Sequence, residues 1–131
     1  MREILFRGKR TDNGEWVKGY YCNCVKAVGM ETIPSIQQTD DNSLYFREVI
    51  PETVGQFTGL TDKNGKKIFE GDIVKVKTEY VDETIYLVAY RDCGFKLIYR
   101  PSNGVVNLTN NKSRNIEVIG NKWDNPELLG E

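Results

Sequence analysis

The most reactive side chains of this chain are three thiols, Cys22, Cys24 and Cys93, and their spacing argues against the structures that cysteines usually build. Cys22-Asn23-Cys24 on a strand places two sulfurs on one face, too far apart to bond to each other. A structural zinc site takes four ligands drawn from Cys and His. Only Cys93 remains to complete one, and the chain has no histidine. The three are therefore expected to be reduced and to pack as small hydrophobes, with no metal bound. An odd number without a disulfide framework suits a reducing cytoplasm.

The absence of histidine removes Ser-His-Asp and Cys-His machinery and imidazole proton shuttles. Catalysis would have to rest on carboxylates, Lys, Tyr, Cys or a metal held by oxygens. Asp40-Asp41-Asn42 is the first oxygen cluster, and no EF-hand spacing surrounds it, so a solvated turn is expected. Glu70 and Asp72 flank Gly71 and could form a carboxylate pair. The turn composition instead predicts Asp72 bonding the turn backbone and Glu70 facing water. Gly55-Gln56-Phe57-Thr58-Gly59 lacks the Lys-Ser/Thr ending of a phosphate loop. No catalytic residue, cofactor or metal ligand is assigned.

Aromatics and cations offer the other chemistry. Tyr20, Tyr21, Tyr80, Tyr86, Tyr90, Trp16 and Trp123 could stack on bases, with Lys75, Lys77, Arg91, Lys96 and Arg100 on neighbouring strands. Lys75, Lys77, Tyr80, Tyr90, Arg91, Lys96 and Arg100 form the candidate surface for single-stranded nucleic acid or a partner. Aromatics also fill sheet cores, and strand lysines guard edges against mispairing. The net charge of −1 supplies no global field for phosphates, which ranks nucleic acid below self-association.

These residues need a frame, and its signals are those of strands. The 131 residues suffice for one domain, residues 1–131, and 28% charged residues is an ordinary fraction. No apolar run approaches the ~20 residues of a membrane-spanning helix, and the start returns to charge too soon for a signal peptide. A cytoplasmic protein is expected. Strands are predicted at residues 3–7, 16–25, 43–50, 72–80, 84–91, 95–100, 105–108 and 113–119. Residues 84–91 are too continuously apolar to have a wet face and should be central. Residues 72–80 alternate as a half-buried strand. Residues 29–42 predict a loop or a poorly paired edge.

Turns are placed at Asp62-Lys63-Asn64-Gly65, Glu70-Gly71-Asp72, Asp92-Cys93-Gly94 and Asn103-Gly104. Gly8 and Gly59, in two similar Gly…Thr-Asp stretches, should mark bulges or close crossings. Near the end, Asn125-Pro126-Glu127-Leu128-Leu129-Gly130 predicts one helical turn capped by Asn125, with both leucines clamped onto the sheet. The fold class is mostly β: a barrel-like domain of short antiparallel strands.

Three stretches carry a resemblance. They are Ile4-Leu5-Phe6-Arg7-Gly8-Lys9 with Trp16-Val17-Lys18-Gly19-Tyr20; residues 54–62 through Glu70-Gly71-Asp72-Ile73-Val74; and Ile116-Glu117-Val118-Ile119-Gly120-Asn121 with Asn125-Pro126-Glu127-Leu128-Leu129. In this order the chain resembles the YopX family of small phage and prophage proteins. The resemblance implies a β-rich pseudo-barrel that forms homo-oligomers, with no assigned activity and no catalytic residues to carry over. The expected function is a non-enzymatic accessory protein that associates with itself and with phage or host proteins. Exposed apolar positions Tyr21, Val25, Tyr80 and Val81 would support that association. A single-stranded nucleic-acid-binding barrel ranks second, and an oxygen-ligated metal enzyme third.

Overall fold

The computed structural model describes residues 3–25, 32–38, 46–77, 83–108 and 115–130, with the side chains of residues 23–25 and 32 left aside. The chain is mostly β and forms two compact units, Met1–Phe57 and Thr58–Glu131.

In the first unit, β1 (Phe6–Lys9), β2 (Trp16–Val25), β3 (Thr32–Gln38) and β4 (Phe46–Glu48) pair antiparallel in the order β4-β3-β2-β1. The start of β5 (Gly55–Thr61) pairs with β1 through Phe6 opposite Gln56. The β1–β2 turn is held by Arg10, whose guanidinium donates two hydrogen bonds to Asp12, at 2.9 and 2.6 Å. A 3-10 turn at Pro51–Thr53 brings the Thr53 hydroxyl to the Lys9 amide at 2.9 Å, tying the loop before β5 to β1. Val17, Ile36 and Val49 form the core, with Phe6 and Val54 against it. Gly8 lies beneath them: a Cβ there would sit 3.1 Å from the Val49 Cβ and 3.2 Å from Ile36. That is the close crossing its position predicts.

The second unit holds the end of β5, β6 (Lys67–Phe69), β7 (Asp72–Val76), β8 (Thr84–Arg91), β9 (Gly94–Tyr99), β10 (Gly104–Asn107) and β11 (Ile116–Asn121). The last five form a sheet in the order β10-β9-β8-β7-β11, antiparallel throughout. β5 and β6 are a hairpin around the Asp62–Gly65 turn, where Gly65 has φ +82° and its amide meets the Asp62 carbonyl at 3.0 Å. Both faces of the five-stranded sheet are apolar. Val74, Val76, Val88, Leu97 and Ile116 lie with Ile68 on one face, and Ile73, Leu87 and Ile98 with Leu129 on the other.

Several expectations are corrected. β3 lies inside the stretch read as a loop, pairs with both β2 and β4, and buries Ile36 completely. Its weak propensity is overridden because β2 offers seven registered partners and the core needs Ile36. β7 is buried on both faces rather than half-wet, because Leu129 packs against the row of Ile73, Leu87 and Ile98 on one face and Ile68 against Val74 and Val76 on the other. β8 is interior, as its composition predicts. The first strand runs Phe6–Lys9 rather than 3–7, and the strand expected at 43–50 is described as Phe46–Glu48. Residues 78–80, the end of the strand expected at 72–80, lie outside the described residues, as do 43–45 of the strand expected at 43–50 and 113–114.

Two turns differ in detail. Asp92 and Cys93 both have positive φ, 50° and 62°, closing a two-residue hairpin between Arg91 and Gly94. The final turn is a 3-10 helix, Pro126–Leu129, with left-handed Gly130 after it. Asn125 does not cap it; its side-chain oxygen instead accepts from the Asn121 amide at 3.3 Å. Leu129 packs onto the sheet, while Leu128 is partly exposed.

Candidate functional site

Strand alternation decides how the proposed cations and rings of the second unit are arranged. Lys75 stands opposite Ile85 and Lys96 opposite Ala89, so both extend from the face that carries Ile73, Leu87 and Ile98. Arg91, two residues beyond Ala89, shares that face. Lys77 and Arg100 each lie one residue past a strand end, after β7 and β9. Tyr90 points the other way, toward Val88 and Leu97, and packs edge-on against Phe95 with ring centroids 5.2 Å apart. Tyr86 meets Tyr99 at 6.0 Å on that same side. The structure thus gathers the strand cations on one face and the tyrosines on the opposite one. Tyr80, the last member of the proposed surface, lies outside the described residues.

The cations also have local partners. Lys75 faces Glu83 at 3.6 Å, and the Lys96 ammonium donates to Asn107 on β10. Asp72, read as half of a carboxylate pair, is buried, and its carboxylate accepts the Phe69 amide at 2.8 Å. That is the turn role its position predicts. Glu70 is half-buried rather than open to water. Cys22 and Cys93 are not joined in a disulfide, and Cys93 is exposed in its turn. Among the described residues no three metal-binding side chains converge. The Asp40-Asp41-Asn42 cluster lies outside them.

The two edges of the five-stranded sheet are treated differently. β11 is covered: the Lys63 amide donates to the Ile116 carbonyl at 2.9 Å, and the Val118 amide to the Asp62 carboxylate at 3.0 Å. Asp62 is buried and also accepts the Asn64 and Lys66 amides, each at 2.9 Å. Burial works against its ionisation, but the Val118, Lys66 and Asn64 amides and the Lys66 charge outweigh it, so its pKa lies below the usual carboxylate value. One turn residue thereby closes a hairpin and seals an edge.

β10 is the other edge. All four of its residues are exposed, with Val105 at 49% and Val106 at 36%. On its inner side it pairs with β9 from Gly104–Tyr99 to Asn107–Lys96. Gly-Val-Val-Asn carries no charge and no proline, the two devices that ordinarily blunt an edge. The strand itself is expected at 105–108, but composition hides its place at the edge, since two valines resemble any core pair; the missing gatekeeper was the signal. Beside the β9–β10 connection a cleft of about 400 Å³ is lined by Glu83, Ile85, Tyr99, Arg100, Pro101 and Leu129, among others. Of the apolar outer positions expected to drive association, Tyr21 is partly exposed and packs on Phe6 at 5.9 Å. Tyr80, Val81 and the Val25 side chain lie outside the described residues.

The sequence pattern of the family described as YopX protein matches residues 5–130. The chain belongs to the YopX family. Among solved structures, this YopX chain is similar to protein EF1440 from Enterococcus faecalis. The TM-score is 0.60 at 24% identity, over 98% of this chain and 99% of that one. Identity at that level shows a shared fold. No curated protein matches the chain. No helix among the described residues is long and apolar enough to cross a membrane.

Proposed function

We propose that this YopX-family chain is a non-enzymatic phage or prophage accessory protein of the bacterial cytoplasm that works by associating with copies of itself through β10. The observation that carries the reading is the uncharged edge strand Gly104–Asn107 with both valines exposed. Open edge amides and carbonyls are a template for another strand, and an identical strand is the commonest one available. A two-fold axis perpendicular to the sheet preserves its faces, so an antiparallel β10 pair centred on Val105 or Val106 sets that valine against its own copy. Continuous ten-stranded sheets would result, without a new charged contact. The pseudo-barrel closure implied by family membership belongs to the same proposal. A phage or host protein adding a strand at this edge is the other use the geometry supports. The non-enzymatic part is supported by Asp72, whose carboxylate is committed to its own turn.

Sedimentation velocity tests the reading. The wild-type chain should be dimeric or larger at micromolar concentration, and Val105→Lys should shift it toward monomer. In a Cys93→Ser background, Val105→Cys should give an oxidised dimer rapidly. A wild-type chain that stays monomeric at these concentrations overturns the proposal.

A further inference from the structure

The pairing of rings with cations that is split between two faces in the second unit occurs intact in the first. On β2, Trp16, Lys18, Tyr20 and Cys22 alternate with Val17, Gly19 and Tyr21, and Val17 belongs to the core face. Register extends the outer face across the sheet. Arg7 stands opposite Lys18 and Lys9 opposite Trp16, while Tyr20 pairs with Gln37 and Gln37 with Phe46. Tyr20, Gln37 and Phe46 therefore form one row across three strands. The two rings stand two strands apart, about 10 Å, and are 57% and 50% exposed.

Beside this row lie the cations. The buried Arg7 guanidinium carbon is 4.8 Å and the half-buried Lys9 ammonium 5.7 Å from the Trp16 ring centroid, and Lys18, the exposed cation of the three, sits two residues before Tyr20. Each of these cations also has partners within the protein, and it is their positive charge beside the rings that matters. Glu48, two residues beyond Phe46, is an acid on this face and stands on the far side of the row from Lys18. Large rings that remain half in water, an amide between them and an exposed lysine beside one ring fit a ligand with flat faces and an anionic chain.

We infer that this outer face of the β1–β4 sheet binds single-stranded nucleic acid, Tyr20 and Phe46 stacking on bases while the Lys18 side attracts phosphates. Every base has a π-face, so stacking tolerates sequence, and Gln37 offers both a donor and an acceptor to a base edge. With few cations the salt dependence should be shallow, about 0.7 log units of affinity per log unit of salt for each phosphate contacted.

Fluorescence anisotropy of the full chain with labelled dT and rU oligomers of about 12 nucleotides, within the ~4–16 of comparable sites, tests this between roughly 50 and 200 mM salt. Tyr20→Ala and Phe46→Ala should each raise Kd roughly 5- to 150-fold, the equivalent of ~1–3 kcal/mol of stacking. Tyr20→Phe should bind as wild type, and Lys18→Gln should reduce the salt slope by about 0.7. Tyr90→Ala, on the other unit, should change nothing. Preference for rU assigns RNA, and equal affinity assigns either strand. The monomerising Val105→Lys variant should still bind, which separates this inference from the self-association reading. No binding of either oligomer at low salt overturns it, as does full affinity in Tyr20→Ala and Phe46→Ala.

Discussion

Asp62→Asn is the substitution that most directly tests how the second unit is held together. The change keeps size and shape and removes only charge and one acceptor. The wild-type carboxylate receives three backbone amides, from Asn64, Lys66 and Val118. An asparagine oxygen can keep the first two, at the strength of a neutral acceptor, which loses about 1 kcal/mol apiece relative to a charged one. Its NH2 group then faces the Val118 amide, donor against donor, and leaves that amide unsatisfied at about 1–3 kcal/mol. The sum is about 3–5 kcal/mol, or roughly 10–20 °C in Tm for a chain of this length. Urea unfolding followed by tryptophan fluorescence, alongside differential scanning calorimetry, reads it out.

The pH dependence gives an independent handle. The folded pKa of Asp62 is depressed, so its contribution is complete above the unfolded carboxylate value of about 3.9 and disappears as pH falls through the lower folded value. Wild-type stability should fall in that acid window more steeply than that of Asp62→Asn, and the two curves should converge at low pH. A loss below about 1 kcal/mol at neutral pH, or parallel pH curves, would refute the account of Asp62 as the clasp of β11.

Gly71 has φ +91° and lies under the Trp123 ring, which a Cβ would overlap; Gly71→Ala should cost about 2–4 kcal/mol from backbone strain and ring displacement together, with a changed Trp123 emission on near-ultraviolet excitation. Ile36→Ala should cost about 2–5 kcal/mol in urea unfolding if β3 is the interior strand described, whereas a loop residue would give less than about 0.5. Cys93, exposed in its turn, should react with a thiol reagent in the native state, and Cys93→Ser should remove that rapid phase without loss of stability.

Much of the fold was legible in the residues themselves. β2 and β8 have the bounds expected of them, because long runs rich in β-branched and aromatic residues leave the backbone little choice. The Asp62–Gly65 and Glu70–Asp72 turns were likewise written locally, in residues that favour positive φ or bond their own backbone. β3 was not legible. Thr-Ile-Pro-Ser-Ile-Gln-Gln has the composition of a loop, and it becomes a strand only because β2 and β4 stand on either side and Ile36 fills a space between Val17 and Val49.

The sites divide along the same line. The sequence by itself determined the chemistry available, without histidine and with aromatics and cations interleaved, since composition and short-range order suffice for that. Which rings share a face with which cations depends on register between strands far apart in the chain. A one-residue shift in pairing moves a side chain to the opposite face. Only the tertiary structure could therefore separate Tyr90 from Lys96, set Tyr20 in a row with Phe46, cover one sheet edge with Asp62 and leave Val105 and Val106 on the other.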